Sequence, residues 1–336
     1  MNNFSVVDHV TTARSPLRIS LAGGGTDIIS YASKFEGQVI GFAINKYVSV
    51  TIYPRSFYNE VLVKGEFLEN VKSVNHLKNL FIYSALKKLK IENNIQISTL
   101  SDVPSGTGLG GSAAFLVSLF HAANPGKANK LDLAESASML EINDLKLSVG
   151  KQDHYLASLG GMQLMRFNKD STVTVNSIDP GPKCLDYFSN RLLLFYTGKI
   201  REASKILEYQ AQKTSSGDFS VLNSLHSIKN LVRPMLDAIN QDSPDLIGPI
   251  LDKHWKAKSK LSKDISTDHL DKVYAQALFC GADGGKIVGA GGGGFLLLSV
   301  IEGKQQKIRD LMNEFRMPEM EFDLDSTGTK KVSISI

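Results

Sequence analysis

A glycine-rich segment between Val103 and Ala114 constrains this chain more than any other part of its sequence. The segment reads Val-Pro-Ser-Gly-Thr-Gly-Leu-Gly-Gly-Ser-Ala-Ala, and it opens an apolar helix predicted over Ala113 to Ala123. A helix N-terminus offers unpaired N–H groups and the positive end of the helix dipole. Glycines let the backbone approach an anion without an intervening Cβ atom. The segment therefore predicts a phosphate-binding loop.

The same segment also fits the Gly-x-Gly-x-x-Gly fingerprint of dinucleotide-binding proteins, through Gly106, Gly108 and Gly111. Two features disfavour that interpretation. The polar pair Ser101-Asp102 and then Pro104 separate the preceding strand from the first glycine. The loop also follows several elements that do not read as βαβ units. A nicotinamide-dependent dehydrogenase is thus a distant alternative, which a titration with NADH would test.

A Walker A loop is disfavoured by a single position. That loop requires a lysine directly before its serine or threonine, and Gly111 stands there, before Ser112. The Ser112 hydroxyl instead lies where it could ligate a Mg²⁺ ion bound to phosphate. A purely structural turn is the simpler alternative, but glycines clustered between a strand and a helix favour close approach to a ligand.

A second polar cluster joins Glu141 to the segment Gly150-Lys-Gln-Asp-His154. Glu141 lies near the end of a predicted helix that begins with a capping box, Asp132 followed by Glu135. One carboxylate, that of Asp153, could accept the proton of a substrate hydroxyl or orient that hydroxyl, and the other could hold Mg²⁺. The cluster has this meaning only beside the glycine loop, because acidic side chains are mostly exposed.

A third cluster places Arg18 on a predicted strand, Leu17 to Ala22, ahead of the turn Gly23-Gly24-Gly25-Thr26-Asp27. Asp27 can present a carboxylate to the hydroxyls of a polyol. Arg18 could neutralise a phosphoryl group during its transfer. The simpler alternative is a tight turn in which Asp27 caps a helix.

A fourth segment, Gly284 to Phe295, contains four consecutive glycines at positions 291–294, directly before a predicted strand. Such a run is entropically unfavourable for a simple connector. Close packing of this backbone against a ligand or against another loop is the better interpretation.

Basic side chains in the second half offer a place for a further phosphate. Lys253, Lys256, Lys258, Lys260 and Lys263 crowd one helical stretch, and all of them except Lys258 fall close to one face, which indicates a solvated surface. Arg201 follows Thr197-Gly198 at the start of another predicted helix. Its planar guanidinium suits a phosphate bidentately, so Arg201 is the better candidate.

Composition narrows the classes of partner. The 336 residues are 42% hydrophobic and 21% charged, which is typical of a globular protein of one large or two ordinary domains. The net charge of +4 is spread along the chain, so nucleic acid is not the expected partner. Two distant cysteines, Cys184 and Cys280, and the lack of a signal-peptide pattern predict a cytoplasmic location without membrane association.

Secondary-structure patterns divide the chain into two halves at Gly181-Pro182, which predicts domains over residues 1–182 and 183–336. Alternating residues predict strands in the first half, and long helical stretches dominate the second half. The predicted strands are 17–22, 47–53, 95–99, 191–196 and 295–300. The predicted helices are 74–89, 113–123, 132–141, 201–213, 219–240, 244–263 and 267–281.

Together, the loops resemble those of the GHMP kinase superfamily, named for galactokinase, homoserine kinase, mevalonate kinase and phosphomevalonate kinase. The resemblance runs from Arg14 to Phe295 in the order of the family. Within it, the chain is most similar to the D-glycero-D-manno-heptose 7-phosphate 1-kinases, through residues 16–19, 22–27, 44–47, 150–153, 196–203 and 289–295. The resemblance implies an α+β fold of two domains, an N-terminal one like ribosomal protein S5 domain 2 and a ferredoxin-like C-terminal one, with the active site between them.

The resemblance also implies residue roles. Asp153 matches the catalytic aspartate and Arg18 the basic residue near it, while Ser112 and Glu141 match the Mg²⁺ ligands. The implied ATP-binding residues are Pro104, Gly106, Thr107, Gly108, Leu109, Gly110, Gly111 and Ser112. The implied substrate-binding residues are Gly24, Gly25, Thr26, Asp27, Arg201, Gly292 and Gly293.

Two positions depart from the family pattern. Gly111 stands where many members have the first serine of a Ser-Ser pair, although the second serine is present as Ser112. His154 stands where glutamine or asparagine is more usual. The second departure bears on the substrate pocket and not on the type of reaction.

The implied activity is ATP- and Mg²⁺-dependent phosphorylation of the anomeric hydroxyl of a sugar phosphate, namely conversion of D-glycero-D-manno-heptose 7-phosphate into the 1,7-bisphosphate. A 1-kinase for another sugar, like galactokinase or fucokinase, is the alternative. A non-catalytic protein that binds a nucleotide or a sugar is more distant, because Ser112, Glu141 and Asp153 are all retained.

Overall fold

The computed structural model describes residues 9–55, 57–124, 126–200 and 203–335, and these residues form two β-sheets covered by helices. The strands are His9–Ala22 (β1), Gly37–Pro54 (β2), Val61–Lys64 (β3), Leu68–Val71 (β4), Ile95–Ser101 (β5), Met162–Phe167 (β6), Val173–Ile178 (β7), Leu192–Tyr196 (β8), Ala282–Ile287 (β9), Phe295–Val300 (β10) and Lys330–Ser335 (β11). The mixture of helices and sheets confirms the predicted α+β class.

The helices of the first half are Ile29–Phe35 (α1), Leu80–Lys88 (α2), Gly111–Ala123 (α3), Lys130–Met139 (α4) and Gln152–Leu159 (α5). Those of the second half are Pro182–Asn190 (α6), Ala203–Ser215 (α7), Phe219–Asn230 (α8), Val232–Asn240 (α9), Ile247–Lys258 (α10), Asp268–Cys280 (α11) and Gln305–Glu314 (α12). Within the described ranges, two 3₁₀ turns, Val74–His76 and Pro244–Leu246, and one π-helical turn, Leu140–Asp144, complete the list.

The larger sheet has eight strands, and its main path runs in the order β11-β1-β2-β5-β3-β4. The 18-residue strand β2 pairs with β6 through its first half and with β5 through its second half, while β7 extends the sheet beyond β6. All pairs are antiparallel except β3 with β5. The register of the pairing between β1 and β2 shifts at two places in β1, between Pro16 and Leu17 and between Ser20 and Ala22. Bulges re-aim side chains, and these two flank the strand position of Arg18.

The smaller sheet has the order β8-β10-β9, all antiparallel. Every residue of its central strand, Phe295–Val300, is buried, as expected for an apolar run covered on both faces. The last strand of the chain, β11, returns to pair with β1 in the larger sheet. The boundary at Gly181-Pro182 stays a prediction. Residues 330–335 were predicted to belong to the second domain, but they pair with a strand of the first half in the larger sheet.

The core lies mainly in two clusters. One fills the space between the larger sheet and the helices that cover it, and α3 supplies Ala114, Leu116, Val117 and Leu119 to it. The second packs the smaller sheet against helices that include α8, α11 and α12. Because α3 is buried on most sides, its N-terminal end is held rigidly relative to β1 and β2.

Several predicted helices have different bounds, and one of them, 244–263, is a 3₁₀ turn followed by α10, which already ends at Lys258. Another, 74–89, is a 3₁₀ turn followed by α2. A third, 219–240, is divided into α8 and α9 near Leu231, because Pro234 has no N–H to donate to the carbonyl group of Asn230. The predicted capping box at Asp132 is also wrong: α4 begins at Lys130, and the side chain of Asn129 accepts a hydrogen bond from the Leu131 N–H.

Among the helices of the described ranges, none is both long enough and apolar enough to cross a membrane. Both cysteines of these ranges are free thiols, with Cys184 buried and Cys280 half-buried. The cytoplasmic location stays a prediction.

Candidate active site

One cavity of about 540 Å³ brings the predicted motifs together. The glycine-rich loop, the turn after β1 and the start of α5 form one side of it. Residues of α7, α10 and β9 and of the loop after β9 form the opposite side, which is called the C-terminal wall below. The cavity therefore lies between the two halves of the chain, where pockets commonly form.

The phosphate-loop prediction agrees with the geometry of the loop. Gly110 is the N-cap of α3 and has a left-handed backbone with φ of 78°, which glycine adopts without strain. No side chain caps α3. Gly110, Gly111 and Ser112 line the cavity, so the positive end of the helix dipole faces it.

An ion pair between Arg18 and Asp153 lines the cavity. The Arg18 Nε and Nη2 atoms donate to the two Asp153 carboxylate oxygens at 2.7 and 2.6 Å. The third nitrogen, Nη1, donates at 2.6 Å to the carbonyl oxygen of Gly108. The Arg18 side chain is 6% exposed and that of Asp153 is 25% exposed. This bidentate pair fixes the carboxylate and joins it to the glycine-rich loop.

Backbone packing sets the position of this pair. The Arg18 N–H donates at 3.0 Å to the carbonyl oxygen of Leu109, which ties β1 to the loop. Asp153 lies in the first turn of α5. Gly110 lies directly against the pair, because a Cβ atom at that position would lie 3.3 Å from both the Arg18 Cγ and an Asp153 carboxylate oxygen. The glycine thus allows the loop to lie against the ion pair.

Asp27 does not cap a helix, which was the simpler alternative for this residue. Its Oδ1 accepts hydrogen bonds from the Gly25 N–H at 3.1 Å and from the Gln152 Nε2 at 2.9 Å, and its Oδ2 accepts from the Gln152 N–H at 3.1 Å. A Cβ atom at Gly150 would lie only 1.8 Å from Oδ2, so glycine is required there. Asp27 therefore ties the turn after β1 to the segment that carries Asp153.

Burial and, to a smaller extent, the negative charge of Asp153 raise the pKa of Asp27 to about 6, against the opposing effect of the backbone hydrogen bonds. Asp27 still lines the cavity. With three hydrogen bonds for two oxygens, the carboxyl group keeps acceptor capacity for a ligand hydroxyl.

Glu141 is buried in the π-helical turn that extends α4, and it faces the cavity. Such turns often occur at functional sites. Its Oε2 lies 3.1 Å from the His154 Nε2 without the alignment of a hydrogen bond, and its Oε1 has no hydrogen-bond partner in the part of the chain that the structure describes. A buried carboxylate oxygen without a partner is unfavourable unless a ligand satisfies it.

The cavity has an apolar end beyond the glycine-rich loop. Phe67, Phe81, Leu100 and Phe115 line it, together with Glu66, whose carboxylate accepts hydrogen bonds from the N–H and hydroxyl groups of a loop serine, Ser105. Aromatic and aliphatic walls suit a flat heterocycle.

The structure places most predicted site residues on this cavity and leaves some of them off it. Pro104, Gly106, Gly108, Gly24 and Gly25 also line it. Residues that do not line it are Thr26, Thr107, Leu109, Gly292 and Gly293. Arg201 lies outside the described residues.

The residues off the cavity have structural contacts. The Thr26 hydroxyl donates to the carbonyl oxygens of Gly23 and Gln38. Gly292 donates its N–H to the carbonyl oxygen of Ile265. The consecutive glycines pack on the phosphate loop: a Cβ atom at Gly294 would lie 2.2 Å from the Thr107 carbonyl oxygen. This run therefore packs against another loop, one of the two predicted interpretations.

Sequence analysis gave no role in the site to several polar side chains of the cavity, among them Gln152, Gln210, His254, Lys258 and Lys286. The Gln210 Nε2 donates at 3.0 Å to the carbonyl oxygen of Gly25, which attaches α7 to the turn after β1. Lysines 253, 256, 260 and 263 are exposed, as predicted, but α10 ends at Lys258, so Lys260 and Lys263 follow the helix and do not share its face.

A signal for two of the missed residues was present in the sequence. Ile247, Leu251, His254 and Lys258 recur at helical spacing, so Lys258 shares the buried face of α10 and not its exposed face. Lys286 has no such signal, because a single lysine within a glycine-rich strand is compatible with exposure or burial.

Comparison with known proteins adds sequence and fold relationships. Residues 75–161 match the family model described as GHMP kinases N terminal domain. The chain is 31% identical over 332 residues to D-glycero-alpha-D-manno-heptose 7-phosphate kinase of Campylobacter jejuni subsp. jejuni serotype O:2, covering 94% of this chain and 97% of that protein. It is 25% identical to galactokinase of Pyrococcus furiosus, covering 89% and 91% of the two chains.

Two solved structures have the same fold. One, a putative sugar kinase from Campylobacter jejuni, has a TM-score of 0.76 at 27% identity and covers 98% of this chain and all of that chain. The other, a D-glycero-D-manno-heptose 1-phosphate kinase from Bacteroides thetaiotaomicron, has a TM-score of 0.78 at 22% identity and covers 96% and 99% of the two chains. These likenesses confirm the predicted kinase fold, and its division into two domains stays a prediction.

Proposed function

The chain belongs to the GHMP kinase family and is a sugar kinase, and from that premise we propose that it transfers the γ-phosphoryl group of ATP to the anomeric hydroxyl of D-glycero-D-manno-heptose 7-phosphate. The relative from C. jejuni is named for a heptose 7-phosphate and covers nearly the whole chain. This supports the choice of sugar.

The observation that carries the proposed chemistry is the Arg18–Asp153 pair beside the N-terminus of α3. An acceptor hydroxyl needs a fixed carboxylate, and a phosphoryl group needs positive charge near it. Both lie within one cavity, next to a loop suited to phosphates. This arrangement favours phosphoryl transfer over simple ligand binding.

Each part of the cavity has a proposed role. The base of ATP lies at the apolar end, and its phosphates lie along Gly106 to Ser112. The sugar lies against the turn after β1, with its C1 hydroxyl at Asp153, which accepts the hydroxyl proton. Arg18 orients Asp153 and draws negative charge from the transferring group. Because phosphoryl transfer depends mainly on positioning and charge neutralisation, these residues supply most of what the reaction needs.

Mg²⁺ is proposed at Ser112 and Glu141. The unpartnered, buried Oε1 of Glu141 fits a cation ligand, and the exposed Ser112 hydroxyl lines the same cavity. Hard cations of this kind prefer oxygen ligands and keep several waters, so two protein oxygens suffice. The ion would neutralise charge on the ATP phosphates.

We expect Ser112→Ala and Glu141→Gln to raise the Mg²⁺ concentration needed for half-maximal activity, because each variant removes an oxygen ligand or its charge. Titration of activity with Mg²⁺ measures this, and Mn²⁺ binding in the presence of ADP, followed by electron paramagnetic resonance, measures it without turnover. Asp144→Asn is the matched control, because Asp144 ends the same π-helical turn but is exposed and paired with Lys88. Unchanged Mg²⁺ dependence in both site variants contradicts the metal assignment.

We expect a heptose 7-phosphate to be phosphorylated far better than any free hexose or heptose. Arg201 is the proposed ligand of the 7-phosphate, so Arg201→Ala should raise KM for the sugar phosphate much more than KM for ATP. Loss of one charged hydrogen bond costs about 1.5–3 kcal/mol, or roughly 10- to 150-fold. Steady-state kinetics with each substrate varied in turn measures both KM values.

Lys260→Ala is the control for this substitution, because Lys260 is an exposed lysine. The phosphorus NMR spectrum of the product should show two sugar phosphates, one of them anomeric. Equal activity on the unphosphorylated sugar overturns the 7-phosphate assignment and leaves a sugar 1-kinase like galactokinase or fucokinase.

A further inference from the structure

Two lysines of the C-terminal wall are buried beside the proposed reaction centre. Lys258 ends α10 and Lys286 lies in β9, and both line the cavity although they are only 7% and 2% exposed. His254, one turn before Lys258, is 1% exposed, and neither of its ring nitrogens has a hydrogen-bond partner in the described residues. Lysine is rarely buried to this extent without a paired charge.

The partners of these lysines are backbone carbonyl groups. The Lys258 Nζ donates at 3.2 Å to the carbonyl oxygen of Ile287 and also to that of Gly289. The Lys286 Nζ donates at 3.2 Å to the carbonyl oxygen of Leu21. Across the described ranges, no carboxylate lies within ion-pair distance of either ammonium group. Neither lysine therefore has a carboxylate counter-charge among the described residues.

Each ammonium group has three N–H donors, so hydrogen-bonding capacity remains. Lys258 uses two donors and Lys286 uses one in the bonds above. Three donors are thus left, on groups that line the cavity. An anionic ligand with several acceptor oxygens would satisfy them and would also compensate the buried charge.

The backbone partners place the lysines between the loop proposed for the ATP phosphates and the turn proposed for the sugar. Gly289, the partner of Lys258, packs on the phosphate loop, since a Cβ atom there would lie 2.5 Å from the Gly108 Cα. Leu21, the partner of Lys286, lies two residues before the glycine turn proposed for the sugar. Arg18 adjoins both places, because it bonds to the Gly108 carbonyl group and lies three residues before Leu21 on β1.

We propose that Lys258 and Lys286 are catalytic residues that bind the oxygens of the phosphoryl group while it moves from ATP to the sugar. This inference rests on the proposed phosphoryl transfer. The bond from the γ-phosphorus to the oxygen bridging it to the β-phosphate breaks, and its electrons stay on ADP. The bond from the sugar C1 oxygen to phosphorus forms, and the hydroxyl proton goes to Asp153. The lysines donate hydrogen bonds and remain protonated throughout.

The electrostatics of the cluster agree with this role. Burial, together with the neighbouring charge of Arg18, lowers the pKa of Lys258 to about 7. Burial, together with the charges of Lys258 and Arg18, lowers the pKa of Lys286 well below its usual range. A dianionic group between the two ammonium groups favours their charged forms, so the cluster suits a site whose occupant is strongly negative.

The test uses Lys258→Met and Lys286→Met, which keep an unbranched side chain and remove the charge. We expect kcat to fall roughly 10- to 100-fold in each variant, the scale of a lost charged hydrogen bond, with KM for ATP and for the sugar near the wild-type values. Lys256→Met is the matched control, because Lys256 lies on the same helix, is 67% exposed and pairs with Asp252. Its kcat should be unchanged.

A second measurement separates catalysis from folding. Wild type and variants are titrated with ADP alone and then with ADP, aluminium fluoride and the sugar, which together mimic the transferring group. The proposal expects unchanged affinity for ADP, which shows an intact fold, and weaker binding of the mimic by the same factor as the loss of kcat. Equal affinity of wild type and variants for the mimic would falsify the proposal.

The remaining outcomes are also decisive. A raised KM for the sugar phosphate at unchanged kcat assigns the lysines to the phosphate of the substrate and overturns the proposal. Unchanged kinetics overturns it as well and leaves two structural lysines. If wild type is inactive on a heptose 7-phosphate but phosphorylates another sugar, the proposed substrate fails, and the lysine variants are measured with the sugar that is used.

Discussion

Asp153→Asn is expected to reduce kcat by about 10²- to 10⁴-fold, the usual contribution of a positioned base. Asparagine keeps the shape of the side chain but cannot accept the hydroxyl proton. It also removes the charge that compensates Arg18, and one of the two hydrogen bonds from the guanidinium group loses its acceptor. We therefore expect the main loss in the chemical step and a smaller effect on the binding of ATP.

Single-turnover kinetics with ATP and the sugar phosphate measures the chemical step directly, and a titration with ADP shows whether the fold and the nucleotide site are intact. Asp237→Asn is the matched control, because Asp237 also pairs with an arginine, Arg233, but on the exposed surface of α9. Near-native turnover of Asp153→Asn would remove Asp153 from the mechanism.

Arg18→Met is expected to lower both activity and stability. Loss of a preorganised donor at a reacting group costs about 10²- to 10³-fold in kcat. Removal of one partner from a buried ion pair costs about 3–5 kcal/mol, and because Asp153 is 25% exposed, we expect the lower end of that range. The hydrogen bond to the Gly108 carbonyl group is lost as well, so the glycine-rich loop loses one of its attachments.

Two further variants separate the effects of charge and geometry at this position. Arg18→Lys keeps the charge, but a single ammonium group cannot reproduce the fork that contacts both Asp153 oxygens and the Gly108 carbonyl group. It should recover stability better than turnover. Arg233→Met removes an exposed, paired arginine and should change neither. Chemical denaturation gives the free energy of unfolding, and a stable but fully active Arg18→Met variant contradicts the assigned role.

The sequence alone predicted much of the candidate active site, because the chemistry of each loop is local. The glycine-rich loop, its position before a helix and its serine follow from residues 103–114 and are found as predicted. The same holds for Asp153 at the start of α5 and for the strand that carries Arg18. Glycine conformation, helix ends and capacity for hydrogen bonds depend mainly on neighbours in the chain.

Predictions about helix ends were weaker, because any of several nearby polar residues can accept hydrogen bonds from the unpaired N–H groups of a first helical turn. The capping box predicted at Asp132 has the right spacing, yet Asn129 caps α4 three residues earlier. Asp27 likewise has the composition of a helix cap, but its carboxylate bonds to Gln152 instead, 125 residues away in sequence. A polar side chain accepts whichever donor the fold brings to it.

What only the tertiary structure decided is which distant side chains meet. Arg18 and Asp153 are separated by 135 residues, and Lys286 and the Leu21 carbonyl group by 265. These contacts depend on the pairing of β1 with β2, on the packing of α3 and α5 against that sheet, and on the approach of β9 from the second half of the chain. The sequence by itself determined the local chemistry of each loop. Burial of Lys258 and Lys286 beside the proposed reaction centre required the assembled fold, because the free energy of a buried charge depends on every neighbour that surrounds it and not only on the residues next to it in the chain.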